Sequence, residues 1–566
     1  ALTNFLLGHP DCQDFGRKFK IAFSGCYDHA CGLVNMHDLG ALAVTKEVDG
    51  KVKRGFKLFV GGGLGAVPHP AKIFDEFIPE EELLPLSQAM GRVFARLGEK
   101  KNRARARVKF LIAKLGIDEF KRLVLEERNI LPHDDRWTSY LEHGPVYEEK
   151  AIKSPSDIKT SSDEPNFDHW LSTNIYSQRQ KGYSVVTIAL PLGDLSSHQG
   201  RKLAHIADKY VGDAIRLTVE QNIVLRWVSN EDLPELYKEL NAIGLAIPDA
   251  GTIVDVTSCP GTDTCKLGIA SSRGLAGELR LQLAQKSLEL DKAIKGLRIK
   301  VSGCFNSCGQ HHIADIGFYG NSRNIKGFKV PHFQVILGGQ WSNNGGSYGM
   351  AIGAVPSKKI PNSVTLITES FIKERISFDE TFQEYVRRVG KKYMRSIIEQ
   401  LMVVPSHEED ASYYSDWGDP REFSLGDMGV GECAGEIVSR EEFELQAAER
   451  EVFEAQLALE ENNFIDANNK SYQAMLKAAR ALIRIENYDV EDSPEIIVQE
   501  FKTRFFDNKR FYDKYAKGKF GRYLLQRFDE AEAEVIEDVS RRYVEESQLF
   551  IEAAHSCYAR MARGEV

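Results

Sequence analysis

No apolar run in this chain approaches the roughly 20 residues that a membrane helix needs, and its first residues lack a basic segment followed by an apolar core. Neither a membrane partner nor a secretory signal is expected, and the reading is a cytoplasmic protein. Net positive charge is lacking too. A formal charge of -9 gives no general attraction to nucleic acid or anionic lipid, although local basic stretches remain able to bind small anions. Low-complexity sequence is absent: 42% hydrophobic and 27% charged residues, with 46 Gly and 19 Pro, describe a globular chain. The G-G-G-L-G loop at 61–65 lacks the spacing of a dinucleotide fingerprint, and no flavin motif is visible. Cysteine is too unevenly spread for a disulfide framework; the nine cysteines are odd in number and fall in tight pairs.

What is present begins with a repeat. F-K-I-A-F-S-G-C-Y-D-H-A-C-G at 19–32 matches L-R-I-K-V-S-G-C-F-N-S-C-G at 297–309, and each copy leads through strand-like runs to a glycine-rich turn, at 55–65 and 333–341. Two copies in one order imply pseudo-twofold architecture. At 566 residues about three domains are expected, with interior enough to enclose a large cofactor.

The chain divides into a first repeat domain at 1–150, a split βαβ pattern read as a ferredoxin-like α+β subdomain at 165–250, a second repeat domain at 251–405, and a helical bundle at 440–566. A strand is expected over 18–24, helices over about 80–128, 198–210 and 231–243, and an exposed acidic loop from His407 to Pro420. The chain opens at Ala1 in a polar stretch, and an upstream segment is expected.

The chemistry lies in C-x5-C at Cys259 and Cys265 followed by C-x3-C at Cys304 and Cys308, with 38 residues between the pairs for a helix and a returning strand. Four converging thiolates suit an iron-sulfur cubane, which tolerates wider spacings than the C-x2-C knuckle around one zinc ion. Structural zinc and buried unligated thiols are the alternatives. In R-K-F-K at 17–20, strand alternation would place Lys18 and Lys20 on one face and Arg17 and Phe19 on the other; an isolated K-x-K is more often a solvated strand edge.

C-x5-C followed by S-G-C-F-N-S-C-G resembles the signature of the siroheme sulfite and nitrite reductases over about residues 13–400. The resemblance implies a pseudo-twofold α+β hemoprotein fold with a ferredoxin-like subdomain, and a siroheme bridged to a [4Fe-4S] cluster. It implies cluster ligation by Cys259, Cys265, Cys304 and Cys308, with Cys308 also the axial ligand of the siroheme iron. R-K-F-K matches the segment supplying the family's two active-site lysines, so Lys18 and Lys20 become catalytic residues and Arg17 a partner of a siroheme carboxylate. Gln221, Asn306, Arg103 and Arg105 are further cofactor candidates; for the basic strip from Arg103 to Lys109, a solvated helix face is the competing reading. Cys26 and Cys31, spaced C-x4-C, read as relics of duplication, with a disulfide or a second metal site as alternatives.

The nitrite reductases have Asn where this chain has Lys20, so the resemblance implies six-electron reduction of sulfite to sulfide, with electrons from ferredoxin or a flavoprotein. Nitrite reduction to ammonia and a non-catalytic electron carrier or scaffold are the alternatives. The family's opening ferredoxin-like half, with two arginines that clamp the substrate, has no counterpart before residue 17. The tail loosely resembles HEPN-type bundles without their nuclease signature, since no arginine stands four to six residues before His555.

Overall fold

The computed structural model describes residues 1–27, 31–102, 105–142, 149–157, 163–425, 440–487, 490–513, 516–530 and 535–562. It divides into two compact units, Ala1–Gly435 and Glu436–Val566.

The repeat is visible as two sheets of one topology. In the first, β1 (Ile21–Ser24) runs parallel to β2 (Leu39–Val48), which pairs antiparallel with β3 (Lys51–Val60) and that with β4 (Lys72–Pro79). A second sheet, with β10 (Ile299–Ser302), β11 (Ile316–Ile325), β12 (Phe328–Leu337) and β13 (Met350–Pro356), repeats this order and adds β9 (Thr257–Ser258) parallel to β10. Each long hairpin turns over two residues with positive φ, Asp49-Gly50 and Lys326-Gly327, the geometry that follows the right-handed strand twist. Between Lys20/Arg298 and Gly61/Gly338 the two copies differ in length by one residue, and it lies between the cysteines, making C-x4-C of one loop and C-x3-C of the other.

Helices Leu83–Leu97, Val108–Leu115 and Ile117–Ile130 cover the first sheet, and Ser272–Ala284, Ile360–Glu374 and Phe382–Ile398 the second. The expected strand over 18–24 begins only at Ile21. A third, antiparallel sheet of order β5 (Ile175–Ser177), β6 (Tyr183–Ile188), β8 (Ile223–Ser229), β7 (Ile215–Leu217) packs with helices Ser197–Tyr210 and Leu233–Ala242 around Trp170 and Tyr237, the expected α+β subunit of the fold.

The acidic loop is exposed over Glu408–Ser412, as expected, but not throughout. Tyr414 and Asp416 are buried, and the Asp416 carboxylate accepts the Ser271 N–H at 2.6 Å, the Ser357 O–H at 2.6 Å and the Trp417 N–H at 2.9 Å. Composition could not reveal this, because the two serines that pair with the acid are more than fifty residues away in sequence. Asp416→Ala leaves the Ser271 and Ser357 donors unpaired, at a cost of about 1–3 kcal/mol; faster hydrogen exchange at the Ser271 amide and a lower urea midpoint are the expected readouts.

The second unit contains helices Arg440–Glu460, Phe464–Arg484, Pro494–Phe501, Lys519–Asp529 and Glu537–Ala562 among its described residues, packed on Phe501, Phe505, Phe511 and Phe550. Among the described residues no helix is long and apolar enough to cross a membrane.

Candidate active site

Two loops at the edge of the second sheet bring the paired thiols together. β9 runs parallel to β10, so Cys259 leaves the sheet beside the S-G-C loop: its N–H reaches the Val301 carbonyl at 3.1 Å, and its Sγ accepts the Gly303 N–H at 3.1 Å. The Gly303 carbonyl accepts the Ile269 and Ala270 N–H groups at 2.8 and 3.1 Å. The loops lie so close that a Cβ on Gly303 would stand 2.6 Å from Gly261 Cα, a contact only glycine avoids. Cys304 is buried, which raises its thiol pKa; the Asn306 N–H opposes that shift, and the nearby Cys259 and Cys265 sulfurs add to it. Cys259, Cys265 and Cys304 are thus electrostatic neighbours. Among the described residues no three His, Cys, Asp or Glu side chains approach closely enough to hold a single metal ion.

Cys308 opens on a cavity of about 340 Å³. Arg17, Lys18, Lys20, Arg105 and Asn306 line it with Cys308, and so do Phe305, Arg107, Lys109 and the 64–67 loop. Residues nearly 300 positions apart in sequence, Arg17 and Cys308, therefore meet at one wall. No carboxylate stands among the described lining residues, and the crowding of cations is felt: Lys20 has its pKa lowered by partial burial first, then by Arg107 and Lys18, with Asp38 and Cys308 pulling it back. A polyanionic macrocycle and an oxyanion are the ligands that such a lining fits.

Arg17 faces the same cavity as Lys18 and Lys20, because 17–20 precede β1 and are free of strand alternation. Arg105 and Arg107 sit on the connection before helix Val108–Leu115 rather than on a solvated helix face. Lys109 is buried and donates to the Leu64 and Val67 carbonyls at 2.8 and 2.6 Å, so it holds the glycine-rich loop against the cavity; burial brings its pKa down to about 8. Arg103 lies outside the described residues. Gln221 does not line the cavity. Its side-chain amide donates to the Ser258 carbonyl at 2.8 Å, and its Oε1 accepts the Ser258 N–H at 3.3 Å, clamping the backbone next to Cys259. Cys26 and Cys31 are free thiols in contact with each other; burial first, and then the hydrogen bond to Cys26, lift the Cys31 pKa to about 11.

Sequence reasoning missed Asp38. Fully buried, it accepts the Lys20 N–H at 2.9 Å and the Arg107 guanidinium at 2.6 and 3.2 Å. Its signal was available: D-L-G at 38–40 repeats as D-I-G at 315–317, beyond the limits of the matched motif.

Comparison with known proteins agrees with this construction. The family described as nitrite and sulphite reductase 4Fe-4S domain matches residues 1–130 and 250–405, and the nitrite/sulfite reductase ferredoxin-like half domain matches 176–243. A protein named sulfite reductase [ferredoxin] 2 from Mycolicibacterium paratuberculosis is 30% identical over 69% of this chain and 65% of its own length. The assimilatory ferredoxin-dependent nitrite reductase of Haloferax mediterranei is 26% identical over 70% of this chain and 66% of its own. The solved structure of Mycobacterium tuberculosis NirA superposes with a TM-score of 0.55 at 28% identity, covering 69% of this chain and 66% of that one. The chain spans about 65% of the length of the first curated relatives it matches. With two sheets of one topology, the two cysteine loops and both domain matches in hand, this chain belongs to the nitrite and sulphite reductase family, whose cofactors are a [4Fe-4S] cluster and a siroheme.

Proposed function

We propose that this chain carries the catalytic centre of a sulfite reductase that takes six electrons, one at a time, from an external donor such as ferredoxin. The observation that carries the proposal is the cavity in which Cys308 faces Arg17, Lys18, Lys20 and Arg105. Cys259, Cys265, Cys304 and Cys308 would hold the cluster, Cys308 would also reach the siroheme iron, and Arg17, Arg103, Arg105 and Asn306 would meet siroheme carboxylates. Gln221 acts at one remove, by fixing the strand that delivers Cys259. When bound, the cofactor pair supplies the open iron position and the stored electrons.

The chain's own residues then have two tasks. Sulfite loses three oxygens as water, so the cavity has to hold an anion and deliver protons to each departing oxygen. Lys18 and Lys20 can do both, since an ammonium is at once a charge and a donor. The lowered pKa of Lys20 makes its proton easier to release than that of an ordinary surface lysine. A pure electron carrier has no use for a cavity so lined, which weighs against the scaffold reading. Lys20, where the nitrite-reducing pattern has Asn, favours sulfite over nitrite.

The test is spectroscopic and kinetic. Purified full-length protein should show siroheme absorption bands and oxidise reduced viologen faster with sulfite than with nitrite. Faster turnover with nitrite would move the assignment to that substrate. A colourless protein holding zinc would remove the reductase reading altogether.

A further inference from the structure

The pseudo-twofold pair Asp38 and Asp315 does one backbone job in both halves. Asp38 accepts the Lys20 N–H at 2.9 Å and its carbonyl takes the Gly61 N–H at 2.9 Å; Asp315 accepts the Arg298 N–H at 2.6 Å and its carbonyl takes the Gly338 N–H at 3.0 Å. Each aspartate thus ties the residue before its strand, through the carboxylate, and the residue after the hairpin, through the backbone carbonyl. They differ in the side chain they grip. Asp315 holds the neutral amide of Gln383, whereas Asp38, itself fully buried, holds the Arg107 guanidinium through two nitrogens.

We propose that Asp38 is the positioning residue of the cationic cavity: one buried carboxylate fixes the backbone of Lys20 and the guanidinium of Arg107, and sets the net charge that an incoming anion meets. The proposal rests on the reductase reading and deepens it. Because Arg107 lines the cavity beside Lys20, its charge would add to the field on the substrate if Asp38 did not neutralise it. Without the same carboxylate, Lys20 would keep only one of the two contacts that register its chain against β2, the Leu39 N–H to its carbonyl at 3.1 Å. Positioning and charge balance are therefore joined in one side chain, while Asp315 retains the structural contact alone.

The duplication provides the control. In siroheme-loaded full-length protein, Asp38→Asn is expected to lower kcat with sulfite by up to about 100-fold, the scale on which misplaced catalytic groups act. The same variant should tighten sulfite binding, measured by spectral titration of the resting enzyme, because one positive charge is released into the cavity. Arg107→Gln is expected to weaken that binding by about tenfold, since it leaves the buried carboxylate uncompensated beside Lys20. Asp315→Asn should leave both quantities at the wild-type level despite losing an equivalent contact. Opposite signs for Asp38→Asn and Arg107→Gln, with Asp315→Asn silent, support the proposal. Weakened binding in both cavity variants, or equal losses in Asp38→Asn and Asp315→Asn, would overturn it in favour of a structural role. If Asp38→Asn fails to fold, the Arg107→Gln titration decides alone, unchanged sulfite affinity counting against the proposal. Wild-type protein with siroheme but no sulfite-dependent turnover would instead sink the reductase reading, a result separable from any of these.

Discussion

Cys308→Ser is expected to yield a folded protein that has lost reductase turnover by more than the roughly 100-fold associated with supporting residues around a metal centre. Cys308 is exposed to the cavity rather than packed in the core, so an isosteric change there removes no buried surface. What it removes is a soft sulfur donor. A serine hydroxyl stays protonated at neutral pH and, as a hard donor, is a poor substitute for a thiolate on iron. The spectroscopic signature of electronic coupling between the two cofactors is therefore expected to vanish together with viologen oxidation in the presence of sulfite. Coupled spectra persisting in this variant would refute the assignment of Cys308 as the shared ligand. Two comparisons sharpen the result. Cys304→Ser acts on a buried side chain and should cost stability as well as activity. Cys31→Ser, at the equivalent position of the first copy, lies outside the cavity lining and should retain turnover.

The legible part of this protein was the part that repeats or that carries rare residues. Strand alternation and the S-G-C motif were enough to expect two related sheets, and C-x5-C with C-x3-C marked the loops that β9 and β10 bring together. The spacing could not say how: the contact depends on a parallel pairing between Thr257-Ser258 and Lys300-Val301 and on Gly261 and Gly303 fitting where no Cβ would. Buried charge was the blind spot. Lys109 belonged to a basic strip that could be read either as a cofactor contact or as a solvated helix face, yet its ammonium caps two carbonyls of the 61–67 loop. Asp416 looked like one of several acids in an exposed loop, yet it organises Ser271 and Ser357. A charged residue's local sequence reports its hydration only when its partners are local, and these partners are supplied by tertiary contacts. Asp38 falls between the cases, since the second copy of D-[LI]-G held the clue that one copy could not.

Lys20→Met is expected to reduce kcat/KM for sulfite by about 100- to 10,000-fold, the span usual for loss of a positioned proton donor. Lys20→Asn is the more informative change, because asparagine can still hydrogen-bond an anion while bringing no charge. Sulfite is a dianion at alkaline pH and nitrite a monoanion, so withdrawing one positive charge from the cavity costs the first about twice the Coulomb energy that it costs the second. The preference for sulfite over nitrite should consequently fall by about tenfold, equivalent to about 1.4 kcal/mol, with nitrite turnover retained in part. Lys18 remains to hold either anion, which is why a shift in ratio rather than loss of all binding is the expected outcome. Side-by-side steady-state rates with the two substrates provide the measurement. An unchanged ratio would show that charge at position 20 does not discriminate between them. A collapse with both substrates equally would place Lys20 in proton delivery alone, leaving the choice of substrate to the remaining cations of the cavity.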